Sequence, residues 1–212
     1  MQKVRKFEIP FREILESSLE LVEYRKLKAL FYIGYLANPS QVDTLLELIP
    51  RYRESLSHII LDPISGDHGR AYISESTWER IPELIQMADI SFPNLTEIKL
   101  MTGNKPDGNE SSEGYINQYK SKFGSKPFVL TSLPNEVNQI GFSYFDGKET
   151  HFYYHPKLDR NYGGTGDAFL AYFILYHYYQ SMGILEALQK SADKTHEIMK
   201  ITIDRGLDDL YL

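Results

Sequence analysis

Apolar positions along the chain switch repeatedly between helical and strand spacing. Phe11, Ile14, Leu15, Leu19 and Val22 recur at helical intervals with Arg12, Glu13, Glu16 and Glu20 between them, which predicts an amphipathic helix. The short run Leu30-Phe31-Tyr32-Ile33 suits a buried strand, ended by Gly34-Tyr35-Leu36 before Asn38-Pro39-Ser40 opens a second helix. That helix, from about Gln41 to Arg53, leads into another buried run, His58-Ile59-Ile60-Leu61, stopped by Asp62-Pro63. A third unit follows: a helix start at Ser76-Thr77-Trp78-Glu79, apolar positions Ile81, Leu84, Ile85 and Met87, and a strand over Ala88–Phe92. Asn94 and Glu97 have the spacing of an N-cap and its partner at the start of the next helix. Strands buried on both faces and separated by helices predict an α/β fold with a mostly parallel sheet.

Beyond Thr102 the pattern loosens. Gly103, Pro106, Gly108, Gly114 and Gly124 punctuate a polar connection with one helix around Glu113 to Phe123. Pro127-Phe128-Val129-Leu130 reads as the next buried strand, with the hydroxyls of Thr131 and Ser132 at its carboxyl end. Two alternating runs, Gln139–Phe145 and Thr150–His155, flank Asp146-Gly147 and predict an antiparallel hairpin at the edge of the sheet. A tyrosine-rich apolar helix is expected from Ala168 to about Ser181, and an amphipathic one from Leu185 to Ile201, with Gly183 between them. No fixed-period repeat or change of composition marks a linker, so one domain over 1–212 is expected.

Composition narrows the function. A 212-residue chain of formal net charge -6 lacks the clustered basic face that a nucleic-acid partner requires. There is no cysteine, which removes disulfides and thiolate metal sites and suits the reducing cytoplasm. The basic start Met1-Gln2-Lys3-Val4-Arg5-Lys6 runs into an amphipathic, acidic segment, so neither a leader nor a membrane partner is expected.

The chemistry centres on Asn161-Tyr162-Gly163-Gly164-Thr165-Gly166-Asp167-Ala168-Phe169. Three glycines ahead of an apolar helix bring backbone N–H groups and the positive helix end toward one place, a setting for phosphate oxygens. Asp167 would repel a phosphate but is placed to take a proton from a hydroxyl; helix capping by Thr165 or Asp167 is the structural alternative. Other polar residues stand at strand ends, where ligands of open α/β sheets bind. Tyr35 could stack on a flat ring or be a rim aromatic. Asp62, Ser65, Gly66, Asp67, His68 and Gly69 share one loop suited either to Mg2+ and its waters or to turn geometry. Asn94 with Glu97 could order the metal's waters or simply cap a helix, and Thr131 with Ser132 could donate to phosphates.

Together these segments resemble the ribokinase-like superfamily and, within it, the pyridoxal kinases. The likeness lies in Gly34-Tyr35-Leu36, Asp62-Pro63 with Gly66-Asp67-His68-Gly69, Pro93-Asn94 with Thr96-Glu97, Thr131-Ser132 and Gly164-Thr165-Gly166-Asp167. It extends to Glu197-Ile198-Met199, Thr202 and Gly206. The resemblance implies a three-layer α/β/α sandwich and ATP-dependent phosphorylation of the 5'-hydroxymethyl group of pyridoxal, pyridoxine or pyridoxamine in a cytoplasmic homodimer. It implies Asp167 as base and Gly164, Thr165 and Gly166 as anion hole. Asp62, Asn94, Thr131, Ser132 and Thr165 would contact ATP, Tyr35 and Asp167 the substrate, and Asp62, Asp67 and Glu97 would order Mg2+. The family's usual first strand, glycine-bearing segment and flap are expected to be missing ahead of Phe7, and Phe92 stands where a small polar residue is expected near the nucleotide. A hydroxymethylpyrimidine or sugar kinase, or a nucleotide-binding remnant without activity, are the alternatives.

Overall fold

A computed structural model describes residues 9–103, 111–135 and 138–211. The basic start, Phe7, and Pro106 and Gly108 of the polar connection lie outside the described residues. The chain divides into two compact units, Met1–Phe128 and Val129–Leu212.

The first unit is built on parallel strands β1 (Ala29–Ile33), β2 (Leu56–Leu61) and β5 (Ile90–Ser91), with β3 (Gly66–Asp67) and β4 (Arg70–Ala71) forming a separate small antiparallel hairpin. Ile33 pairs with Leu61, and Leu61 with Ser91, so three strands end level with one another. This register sets Gly34-Tyr35, Asp62 and Pro93-Asn94 at a common sheet end, as the strand-end reading requires. Ser91 in turn pairs in parallel with Phe128, the last residue of the unit. Ile59, Ile60 and Leu61 are fully buried, with Leu48 of α2 (Pro39–Arg51) and Leu84 of α4 (Ile81–Met87) also fully buried, which explains the unbroken apolar run of β2.

Helix α1 (Phe11–Tyr24) lies where its spacing predicts. Helix α2 starts two residues earlier than expected, because Asn38 caps it by accepting from Gln41 N at 3.1 Å and Pro39 fits its first turn. The expected third helix is two: α3 (Glu75–Trp78) and α4 (Ile81–Met87). Pro82 accounts for the break, since proline is accepted in a helix's first turn but removes a donor in its middle. Phe92 is buried at 3% exposure, with its N–H donating to Leu61 O at 2.9 Å, so it serves the core rather than a nucleotide contact. Helices α5 (Leu95–Thr102) and α6 (Ser112–Phe123) complete the unit.

Within the second unit, β6 (Phe128–Asn135), β7 (Gln139–Phe145) and β8 (Thr150–Pro156) lie side by side in that order, β6 starting at the unit boundary. The predicted antiparallel hairpin is β7 with β8, registered from Gln139↔Pro156 to Phe145↔Thr150. Asp146 Oδ1 accepts from Lys148 N and Glu149 N at 2.8 Å each, which turns the chain between them. Two expectations change. Strand β6 continues past Leu130, so Thr131 and Ser132 lie inside it, and Ser132 adopts a left-handed φ of 56°. The tyrosine-rich helix begins earlier, as α7 (Thr165–Ile174), and widens into a π-helical turn over Leu175–Tyr179 before α8 (Ile184–Asp204). Val129, Leu130, Leu133, Phe173 and Leu188 are fully buried and form the core of this unit. Among the described residues no helix is long and apolar enough to cross a membrane.

Candidate active site

In the first unit the polar residues at the sheet end are tied together through the backbone. Asp62 N donates to Ile33 O at 2.8 Å, locking the two strand ends side by side. Tyr32, an exposed member of an otherwise apolar run, brings its phenol to within 3.4 Å of Asp62 Oδ2. Its ring folds back over Gly34, where a Cβ would lie 2.8 Å from the Tyr32 oxygen, so glycine is what lets the phenol reach Asp62. In the sequence Tyr32 looks like one more residue of a buried strand, and its only distinguishing mark is a phenol one position before the strand end. Tyr35 stands 53% exposed, with its ring accessible for stacking.

Glu97 is the buried centre of this group, at 3% exposure. Its Oε1 accepts from Ser65 N at 3.0 Å and its Oε2 from Asn94 N at 2.8 Å. Asn94 Oδ1 accepts from Glu97 N at 3.0 Å, completing a capping box, while Asn94 Nδ2 donates to Gly66 O at 2.8 Å. The capping alternative is therefore realised in full, and Asn94 retains one amide hydrogen for a further acceptor. Thr96 Oγ1 accepts from Gly69 N at 2.9 Å. The expected loop of Gly66 to Gly69 is thus a hairpin, β3–β4, turned by His68 and Gly69 at φ 48° and 75°. Asp67 Oδ1 accepts from His68 N at 2.8 Å, and the exposed His68 ring stays beside the same carboxylate.

Burial pushes the Glu97 carboxyl up to about 8, opposed by the N–H donors of Asn94, Ser65 and Gly66 and reinforced by the charge on Asp62. The ordinary value is 4.5, so between 4.5 and about 8 the folded chain holds a proton that the unfolded chain has lost. Stability from this group is complete below 4.5 and is lost as pH rises through about 8. Urea titrations in chelator-containing buffer are expected to show this decline, and Glu97→Gln is expected to flatten it.

Among the described residues no three His, Asp or Glu side chains are gathered to ligate a metal directly. Magnesium commonly keeps several waters and takes only one or two protein carboxylates. Asp62, half-buried and close enough to Glu97 to act on its charge, fits that outer-sphere arrangement.

In the second unit, Gly164 serves as N-cap of α7 at φ 84°, a left-handed conformation that suits glycine. Lacking a side chain, it cannot cap the N–H groups of Thr165, Gly166 and Asp167; the first amide bonded back is Ala168 N, to Gly164 O at 2.9 Å. Thr165 does not cap either: its hydroxyl is 3.4 Å from Tyr162 O. The helix thus presents uncapped donors and its positive end to solvent, with the exposed Asp167 carboxylate in the same turn. A cleft of about 620 Å3 opens there, lined by Gly163, Gly164 and Asp167, by Tyr172 farther along α7, and by Asp209 and Leu210. Thr131 is half-buried and Ser132 exposed on β6. The left-handed φ at Ser132 is uncommon for a non-glycine residue and is the kind of strain that collects at ligand sites.

A family model described as phosphomethylpyrimidine kinase matches residues 2–208. The chain belongs to that family. Among curated relatives, the pyridoxal kinase of Dictyostelium discoideum is 31% identical over 148 residues, covering 63% of this chain and 49% of its own. The chain spans about half the length of the curated relatives it matches. Among solved structures, pyridoxal kinase from Entamoeba histolytica superposes with a TM-score of 0.84 at 20% identity, over 99% of this chain and 76% of that one. Pyridoxal kinase from Leishmania donovani, in complex with ADP and pyridoxamine, gives 0.78 at 23% identity, over 97% and 73%. These likenesses establish the expected fold class: a ribokinase-like α/β/α arrangement with a mostly parallel sheet and an antiparallel hairpin at its edge.

Proposed function

We propose that the chain phosphorylates the 5'-hydroxymethyl group of pyridoxal, pyridoxine or pyridoxamine with ATP, as a single kinase domain over 1–212. The observation that carries this reading is the uncapped start of α7, where Thr165, Gly166 and Asp167 offer free N–H groups beside one exposed carboxylate. Phosphoryl transfer needs chiefly alignment and relief of charge on oxygen, and these donors supply both without rearranging. Asp167 takes the proton of the attacking hydroxyl, while Gly164, Thr165 and Gly166 form the anion hole. Thr131, Ser132 and Asn94 donate to ATP phosphates, and Tyr35 packs on the pyridine ring.

Bound magnesium would supply positive charge to offset that on the phosphate oxygens. Asp62 and Asp67 would hold it through water, with Glu97 fixing the backbone behind them. The similarity to a kinase solved with ADP and pyridoxamine supports this choice of donor and alcohol. A cytoplasmic place suits a chain without cysteine. Homodimerisation suits β1, whose described sheet partner is β2 alone. Sedimentation checks the homodimer.

The family model's description favours a second reading, with hydroxymethylpyrimidine as the alcohol. One panel separates the two: ATP with Mg2+ and each of pyridoxal, pyridoxine, pyridoxamine and hydroxymethylpyrimidine. Saturable formation of pyridoxal 5'-phosphate that chelator abolishes is expected. Turnover of the pyrimidine alone would move the assignment to the second reading, and ATP binding without any transfer would overturn both.

A further inference from the structure

The residues after α8 take part in the cleft although their sequence carries no chemistry of its own. Thr202 is fully buried; its hydroxyl donates to Ile198 O at 2.8 Å and accepts from Tyr211 N at 3.1 Å. The Arg205 guanidinium lies 3.9 Å from the centre of the Tyr211 ring. These two contacts close the segment back toward the helix and deliver Leu210 to the glycine loop. Leu210 Cδ1 stands 3.8 Å from the point a Cβ on Gly164 would occupy, with no other group among the described residues, its chain neighbours aside, as near to that point, and Leu210 and Asp209 line the cleft with Gly163, Gly164 and Asp167. A second tie comes from the loop's own approach. Arg160 Nη2 donates to Asp208 Oδ1 at 2.8 Å, and its guanidinium lies 5.2 Å from the centre of the Tyr162 ring. That ion pair is exposed and contributes little by itself. The buried hydroxyl of Thr202 is the stronger link.

We propose that Leu210 is a positioning residue for the glycine loop, held against Gly164 by the Thr202-anchored segment Arg205–Tyr211. Its consequence for transfer rests on the kinase reading; its effect on the loop does not. Gly164 adopts its left-handed turn without strain and can leave it as easily, so neighbouring groups decide how far the turn moves. Leu210 supplies that hold from the cleft wall it shares with Gly163 and Gly164.

The test compares Leu210→Ala, Thr202→Val and Thr202→Ser with Leu188→Ala, a buried change elsewhere on α8. Two quantities are read: exchange of the Ala168 amide, which reports the bond to Gly164 O, and kcat and KM for ATP and for pyridoxal. Leu210→Ala and Thr202→Val are expected to speed Ala168 exchange by about tenfold through local opening. They are also expected to lower kcat with little change in the KM for pyridoxal. Thr202→Ser, which keeps the hydroxyl, should restore both, and Leu188→Ala should reduce the melting temperature without that split. Unchanged Ala168 exchange in Leu210→Ala overturns the proposal whatever the activity. If the unaltered chain transfers no phosphoryl group, the kinase reading fails, and the exchange measurement still decides the role of Leu210.

Discussion

Asp167→Asn is expected to lower pyridoxal phosphorylation by about 10²–10⁴-fold, the usual worth of a positioned general base. The substitution keeps size and hydrogen-bonding reach but removes the proton acceptor, so the alcohol must attack without losing its proton in step. ATP affinity should hold or improve slightly, because a negative charge leaves the turn that offers N–H groups to an anion. The check is paired: initial rates of pyridoxal 5'-phosphate formation, and nucleotide binding by calorimetry. A variant with near-normal turnover would remove Asp167 from the role of base. A variant that fails only by losing ATP would make it a binding residue.

Glu97→Ala is expected to cost about 2–5 kcal/mol, because each buried donor left without an acceptor costs about 1–3 kcal/mol. Two such donors, Ser65 N and Asn94 N, point at the carboxylate in the present structure. The second of these bonds is the reciprocal half of the capping box, so Asn94 would be left to cap α5 alone. Equilibrium urea unfolding followed by Trp78, which lies in the first unit, would register the change. A loss well under 1 kcal/mol would show that water can enter and satisfy those N–H groups, and that Glu97 is not the structural centre of the loop.

Periodicity alone located the principal strands and helices, because strands buried on two faces and helices buried on one leave different spacings. Boundaries moved where a single residue overruled the pattern. Pro39 drew α2 forward, Pro82 split the third helix, and Gly164 began α7 ahead of its first apolar position. The hairpin β3–β4 was not legible, since two-residue strands have too few positions to show alternation. Its turn uses His68 at positive φ, where asparagine or glycine would have signalled it. In the site, Asp167 and the glycines were readable because their chemistry is local in sequence. Tyr32 and Leu210 were not, since one looked like a core strand residue and the other gained its role only from a fold-back onto a loop 46 positions earlier, at Gly164. The capping reading of Asn94 and Glu97 is the one the structure realises. Both side chains are used in capping, and Asn94 has a hydrogen to spare.

The hairpin β3–β4 has a mechanical consequence. It is too short to own a core, and it hangs on the first turn of α5 through Asn94 to Gly66, Thr96 to Gly69 and Glu97 to Ser65. Those three ties run to three backbone groups spaced along the hairpin and its lead-in, so the hairpin and the helix start behave as one lever. A pull on Asp67 at its tip is felt at the base of α5, some thirty residues on in sequence but a single hydrogen bond away in space.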